Sequence, residues 1–173
     1  MPRISIVIPC YNAQRYLRGA IDSVLGQTFQ DLEIVVVDDG STDGTRELVA
    51  GVQDERLRYI YQENRGPAAA RNHGIAAAQG EYIALLDADD LALPRRLEGQ
   101  LAVLEAAPDL AVVGSGYVWI DEEGRRLSWA THSWQAYLEL NAFRKWLFDC
   151  LFVPSATTFL RVAWRDLGGF DEE

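Results

Sequence analysis

Cysteine, lysine and long apolar runs are what this sequence has least of. Its two cysteines, Cys10 and Cys150, are too few and too far apart to report a disulfide framework or metal-ligand spacing, so they read as buried thiols. Lys145 is the one lysine among 16 basic residues. An arginine bias of this kind suits bidentate phosphate contacts and equally fits the base composition of a host genome. The formal net charge of −10 excludes the basic face on which nucleic-acid binding normally rests. The apolar run at the start stops at Pro9, too short for a signal core or a membrane span, and Asn-x-Ser/Thr sequons are lacking. These absences give a cytoplasmic protein as the expectation. The loop after the first apolar run, PCYNAQRY, contains no glycine, which excludes the G-x-G-x-x-G dinucleotide site, and a P-loop is absent too. His73 and His132 have no partners at ligand spacing and read as incidental.

What is present is an alternation. Residues 4–9, 32–39, 57–61, 81–87 and 110–115 are short apolar runs, mostly continuous rather than alternating, as in strands covered on both faces. Between the first two, Ala13, Tyr16, Leu17, Ala20, Ile21, Val24 and Leu25 form one helical stripe, with Asn12 as its expected N-cap and Gly26 near its end. Further helices are expected in TDGTRELVAG, in GPAAARNHGIAAAQG (Pro67 in the first turn, Gly80 as the stop) and from Pro94 along Leu97, Leu101 and Leu104. Strand, helix, strand, helix predicts an α/β layered domain with a mainly parallel sheet, and 173 residues are most simply one domain. After GSGYVWIDEEGRR, residues 114–126, the composition turns aromatic. Residues 128–154 look like an amphipathic helical excursion, followed by a strand at SATTFLR and a helical turn at VAWRDLGGF.

In such a sheet, ligands bind beyond the carboxyl ends of the strands. Strand one ends in PCYN, strand two in VDDGSTDGT and strand four in LDADD. Asp87, Asp89 and Asp90 repel one another unless a cation offsets the charge, and hard oxygen ligands suit Mg2+ or Mn2+. The plainer reading is a solvated acidic start to the next helix. Asp38 and Asp39 read either as turn formers or as acceptors for a ribose or a base.

Together these motifs resemble glycosyltransferase family 2, most densely from Ile4 to Gln100, with a return at GGFDEE. The ordered series P-x-Y-N, V-D-D-G-S-x-D-x-T, N-x-G-x-x-x-A-R-N and L-D-A-D-D carries the resemblance. It implies a GT-A fold, a Rossmann-like mainly parallel sheet flanked by helices and here cut short at the C-terminus. Residues 1–115 would form the nucleotide-sugar-binding half and 116–173 an incomplete acceptor-side half. Pro9 and Tyr11 would cradle the nucleobase, Asp39 the uracil or ribose, and Asn64 and Arg71 the nucleotide edge. In the stretch Asp87, Ala88, Asp89, Asp90, the first acid would meet the ribose and Asp89, with Asp87 beside it, the metal bridging the phosphates. The implied reaction is metal-dependent transfer with inversion from a nucleoside-diphosphate donor, UDP-linked by expectation, to a saccharide or lipid-linked acceptor. The general base is expected beyond Glu173, so the alternative is a nucleotide-sugar-binding module without turnover. A nucleotidyltransferase fits less well, for want of its glycine-rich, lysine-containing loop. The aromatic stretch Trp129–Phe152, including Trp134, Tyr137, Leu138, Trp146 and Leu147, packs, covers an acceptor or meets a membrane surface peripherally.

Overall fold

Each of the short apolar runs contains a strand, and those at 4–10, 32–39 and 82–85 are buried along their whole length. In the computed structural model, which describes residues 1–130 and 153–172, the order is β1 (Ile4–Cys10), α1 (Leu17–Leu25), β2 (Leu32–Asp39), α2 (Thr45–Ala50), β3 (Leu57–Gln62), α3 (Pro67–Ala77) and β4 (Tyr82–Leu85). Then follow α4 (Arg96–Ala106), β5 (Val112–Gly114), β6 (Tyr117–Ile120), β7 (Arg126–Ala130), β8 (Thr157–Leu160) and α5 (Arg161–Leu167). Six strands form one sheet in the order β3-β2-β1-β4-β8-β5, and β6 and β7 pair as a separate hairpin. β1, β2, β3 and β4 run parallel, whereas β8 is antiparallel to both β4 and β5.

Side chains of period two feed two cores. Ile4, Ile6 and Ile8 of β1 face one way, against Leu17 and Ile21 of α1 and Leu97, Leu101 and Leu104 of α4. Val7, Val35, Val37, Ile83 and Leu85 face the other way, against Ala70 and Ile75 of α3, Phe159 of β8 and Ala163 of α5. Each such fully buried side chain contributes about 1.5–3 kcal/mol relative to exposure. Two cores, one per face, explain why β1, β2 and β4 are apolar along most of their length.

Gly74 sets how closely α3 approaches. A Cβ there would overlap the Val7 and Val37 side chains, so only glycine lets the helix lie this near β1 and β2.

Several local expectations are corrected. Asn12 does not cap α1, which begins at Leu17; its backbone is left-handed (φ 50°) and its Oδ1 accepts from Thr42 N, tying the loop after β1 to the loop after β2. The stop of α3 is Ala78, and Gly80 instead packs against β1, its N–H donating to Ser5 Oγ. α4 starts at Arg96 rather than Pro94, because the carbonyls of Ala92 and Leu93 are held in a turn by Gln27 Nε2. The start of the expected helical excursion, Ser128–Ala130, is strand, since it pairs with Tyr117–Trp119 of β6. Its remainder to Phe152, with His132 and Cys150, lies outside the described residues.

Candidate donor site

β2 and β3 lie on one side of β1 and β4 on the other, so the strand order reverses at β1 and opens a crevice at the carboxyl ends. A cavity of about 620 Å³ sits there. Pro9, Tyr11, Asp39, Asn64, Arg71, Asp87, Ala88 and Asp89 all line it; Asp90, half-buried, stands just outside. Cys10 and Tyr16 join the wall. Burial, with Asp38 nearby, pushes the Cys10 thiol up to about 12, so it is an inert part of that wall.

The end of β2 is a hydrogen-bonded knot. Asp38 Oδ1 accepts from Ser41 N at 2.8 Å and Oδ2 from the Tyr59 hydroxyl at 2.5 Å, which makes Asp38 a turn former. Asp39, 4% exposed, accepts from Gln62 Nε2 (2.7 Å) and Arg65 N (2.9 Å) at Oδ1 and from Gly66 N (2.8 Å) at Oδ2. Its backbone carbonyl accepts from Asn64 Nδ2. Gly40, at φ 82°, lets the chain leave immediately, and a Cβ there would stand 2.8 Å from Asn64 N.

The acidic loop after β4 is braced from three elements. Arg71 of α3 reaches Asp87 Oδ1 with a terminal nitrogen at 2.6 Å, while its Nε is buried and has no hydrogen-bond partner among the described residues. Ser155, just before β8, accepts from Asp87 N at 2.8 Å. From beneath, Arg96 of α4 donates to the carbonyls of Leu85 and Thr157, and burial lowers its guanidinium to about 10 although Asp90 pulls it up. Burial raises the Asp90 carboxyl above the ordinary carboxylate range; Asp89 and Asp87 add to this, and a hydrogen bond with Ser155 opposes it. Asp89 is exposed and its carboxylate has no hydrogen-bond or ion-pair partner among the described residues.

The C-terminal GGFDE stretch docks onto α3 beside this cavity. Asn72 accepts from Phe170 N and donates to Phe170 O, and Glu172 meets both Asn72 Nδ2 and the Arg65 guanidinium.

Comparison with known proteins decides what this arrangement belongs to. The sequence profile of glycosyl transferase family 2 matches residues 5–167. The chain belongs to that family. An uncharacterized glycosyltransferase of Haemophilus influenzae is 40% identical over 136 residues, covering 77% of this chain and 54% of that protein. One from Rickettsia felis is 43% identical over 128 residues, covering 73% of this chain but 21% of that protein. This family 2 chain thus spans about half, or less, of the curated relatives it matches. Among solved structures, S. aureus TarS 1-349 shares the fold over 100% of this chain and 51% of that one (TM-score 0.74, 23% identity). The mannosyltransferase PcManGT from Pyrobaculum calidifontis, in complex with GDP-Man and Mn2+, matches over 99% and 48% (TM-score 0.72, 27% identity). The fold class is the GT-A-type α/β arrangement that the motifs imply.

Five contributors to the family 2 chain's site escaped the sequence reading. Asn72 stands inside a quoted motif, so its presence was visible but its partner 98 residues away was not. Ser155 and Arg96 carry no local signal, because their partners lie on other elements. Gln62 and His73, bonded at 2.7 Å, form a contact across β3 and α3 that spacing in sequence does not reveal, and His73 is therefore not without a partner.

Proposed function

We propose that this chain binds a nucleoside-diphosphate sugar, UDP-linked, together with Mg2+ or Mn2+ at the carboxyl ends of β1, β2 and β4. On this reading it serves inverting transfer of the sugar to a saccharide or lipid-linked acceptor. The observation that carries the reading is Asp89, an unpartnered carboxylate in the same cavity as Arg71 and Asp39. TarS has been solved with UDP and UDP-GlcNAc, and PcManGT with GDP-Man and Mn2+, which supports a nucleotide-sugar in the corresponding crevice.

The residues fit a divalent cation of a particular kind. Among the described residues no group of three or more His, Cys, Asp or Glu could hold a metal by itself. Mg2+-type sites commonly use one or two carboxylates and complete the shell with substrate phosphate and water. Asp89, with Asp87 beside it, would supply the protein's share. Burial is the main reason that the Asp90 carboxyl is raised, and the charges of Asp89 and Asp87 add to it; a cation would relieve that smaller part. When bound, the ion supplies Lewis-acid stabilisation of charge on the departing diphosphate.

The chain's own residues then have distinct tasks. Tyr11, half-exposed at 54%, offers a ring face to the nucleobase, and Asp39 offers the remaining lone pair of Oδ2 to one ligand N–H or O–H. Arg71, in the cavity wall, holds Asp87 in place, and its charge suits an anionic oxygen of the ligand. No described helix is long and apolar enough to cross a membrane.

Calorimetry with UDP, Mn2+ and both together tests the reading. Because the protein brings too few ligands to bind the ion alone, UDP and Mn2+ are expected to bind cooperatively, each weakly without the other. Asp89→Ala is expected to abolish the metal-dependent part. Equal affinity in that variant, or no UDP binding to the unaltered chain, would remove the proposal.

A further inference from the structure

Asp39 reaches the cavity with most of its hydrogen-bonding capacity already committed. Each carboxylate oxygen offers two lone-pair sites. Oδ1 takes Gln62 Nε2 and Arg65 N, so it is full; Oδ2 takes Gly66 N and keeps one site. Two of these donors are backbone amides fixed by the loop between β3 and α3. The third is the side chain of Gln62, the last residue of β3. Its amide orientation follows from its partners. Asp39 acts only as an acceptor, so Gln62 turns its NH2 toward it and its Oε1 away. That Oε1 lies 2.7 Å from His73 Nδ1, which must therefore carry a hydrogen. One polarity runs through the chain of bonds: His73 donates to Gln62, and Gln62 donates to Asp39.

We propose that Gln62, held by His73, is a positioning residue for donor recognition: by filling Oδ1 it leaves Asp39 one acceptor site, which favours a ligand edge presenting one donor over an edge presenting two. The inference rests on the nucleotide-sugar reading above and adds how the pocket discriminates. Uracil presents a single N–H between two carbonyls, whereas guanine presents an N–H and an NH2 side by side, so UDP and GDP are matched probes. Without the Gln62 donor, Oδ1 regains a lone pair and the carboxylate can meet both guanine donors. Misassigned donors left unpaired in a closed site are a main source of selectivity between ligands of similar size.

The test is calorimetry of UDP and of GDP, each with Mn2+, on the unaltered chain, on Gln62→Met, on His73→Leu and on the double variant. The ratio of UDP to GDP affinity is the readout, since a general loss of stability would lower both affinities and leave the ratio alone. Gln62→Met is expected to lower the ratio about tenfold, the scale of one hydrogen bond to a charged group. His73→Leu should lower it less, and the double variant should match Gln62→Met, because His73 acts only through Gln62. If Gln62→Met does not fold, His73→Leu decides alone, its position being exposed. An unchanged ratio in the variants, with UDP still bound by the unaltered chain, overturns the positioning role and leaves the nucleotide reading standing. Failure of the unaltered chain to bind either nucleotide overturns both.

Discussion

Glu33 shows what a single buried charge requires of its neighbours. It lies at the opposite end of the sheet from the cavity, 5% exposed on β2, where Ser5 Oγ and Gln79 N donate to Oε1 and Arg58 to Oε2 at 2.9 Å. Burial alone would raise its carboxyl, but these bonds together hold it below the usual value of 4.5. A depressed folded-state value means that the stability Glu33 confers is complete above the unfolded value and is lost as pH falls through the folded one. Urea unfolding at about pH 7 should find Glu33→Gln less stable by about 1–3 kcal/mol. As the pH falls below the usual value of 4.5 the gap should narrow, because the unfolded chain then takes up a proton that folded Glu33 resists. A gap that stays constant or widens on acidification would contradict this account of Glu33. The acids at the other end of the sheet differ in kind. Three donors from its own fold leave Asp39 a single acceptor site, whereas the Asp89 carboxylate meets no donor among the described residues, and that contrast separates an acid shaped by the fold from one that awaits a cation.

Among the elements, α3 couples the site to the fold. One face packs Ala70 and Ile75 against Val7, Val35 and Val37; its second turn supplies Arg71 to Asp87, and Asn72 binds the GGFDE stretch. The close seat at Gly74 sets the height of all three. Gly74→Ala should raise helix propensity locally yet destabilise the protein by about 1–3 kcal/mol, the usual cost of overpacking. Thermal melting reads the loss. Since lifting α3 also moves Arg71, UDP affinity should fall together with stability. A more stable variant with intact affinity would show that the helix seat has slack. β1, β2 and β4 were legible in the sequence because both faces are buried and their apolar runs are almost unbroken, whereas the β6–β7 hairpin, outside the main sheet, was not. The starts of α1 and α4 were not, because loop contacts override local capping signals, whereas Pro67 does open α3. Asn12 is the clearest case: a good N-cap by type, it is drawn instead to Thr42. β4 ends at Leu85 rather than at the aspartates, since Asp87 N leaves the ladder for Ser155.

At the scale of the whole molecule, β8 arrives from beyond residue 150 to lie between β4 and β5, and β5 touches the sheet only through it. The sheet that positions the acids is therefore completed by residues distant in sequence, with Phe159 of β8 fully buried in the second core. Local pattern could not foresee this, because strand order is a property of the assembled chain, whereas acids at successive strand ends were readable from their place after each apolar run. The central claim is that those acids, gathered where strand order reverses, meet a divalent ion and the diphosphate it neutralises. Crystals grown with UDP and Mn2+, measured for the anomalous scattering of manganese, test it most directly. The account predicts a peak in contact with the Asp89 carboxylate and the UDP phosphates, with the base beside Tyr11 and Asp39. A manganese peak remote from Asp89, or UDP bound outside the crevice between β1 and β4, would contradict it.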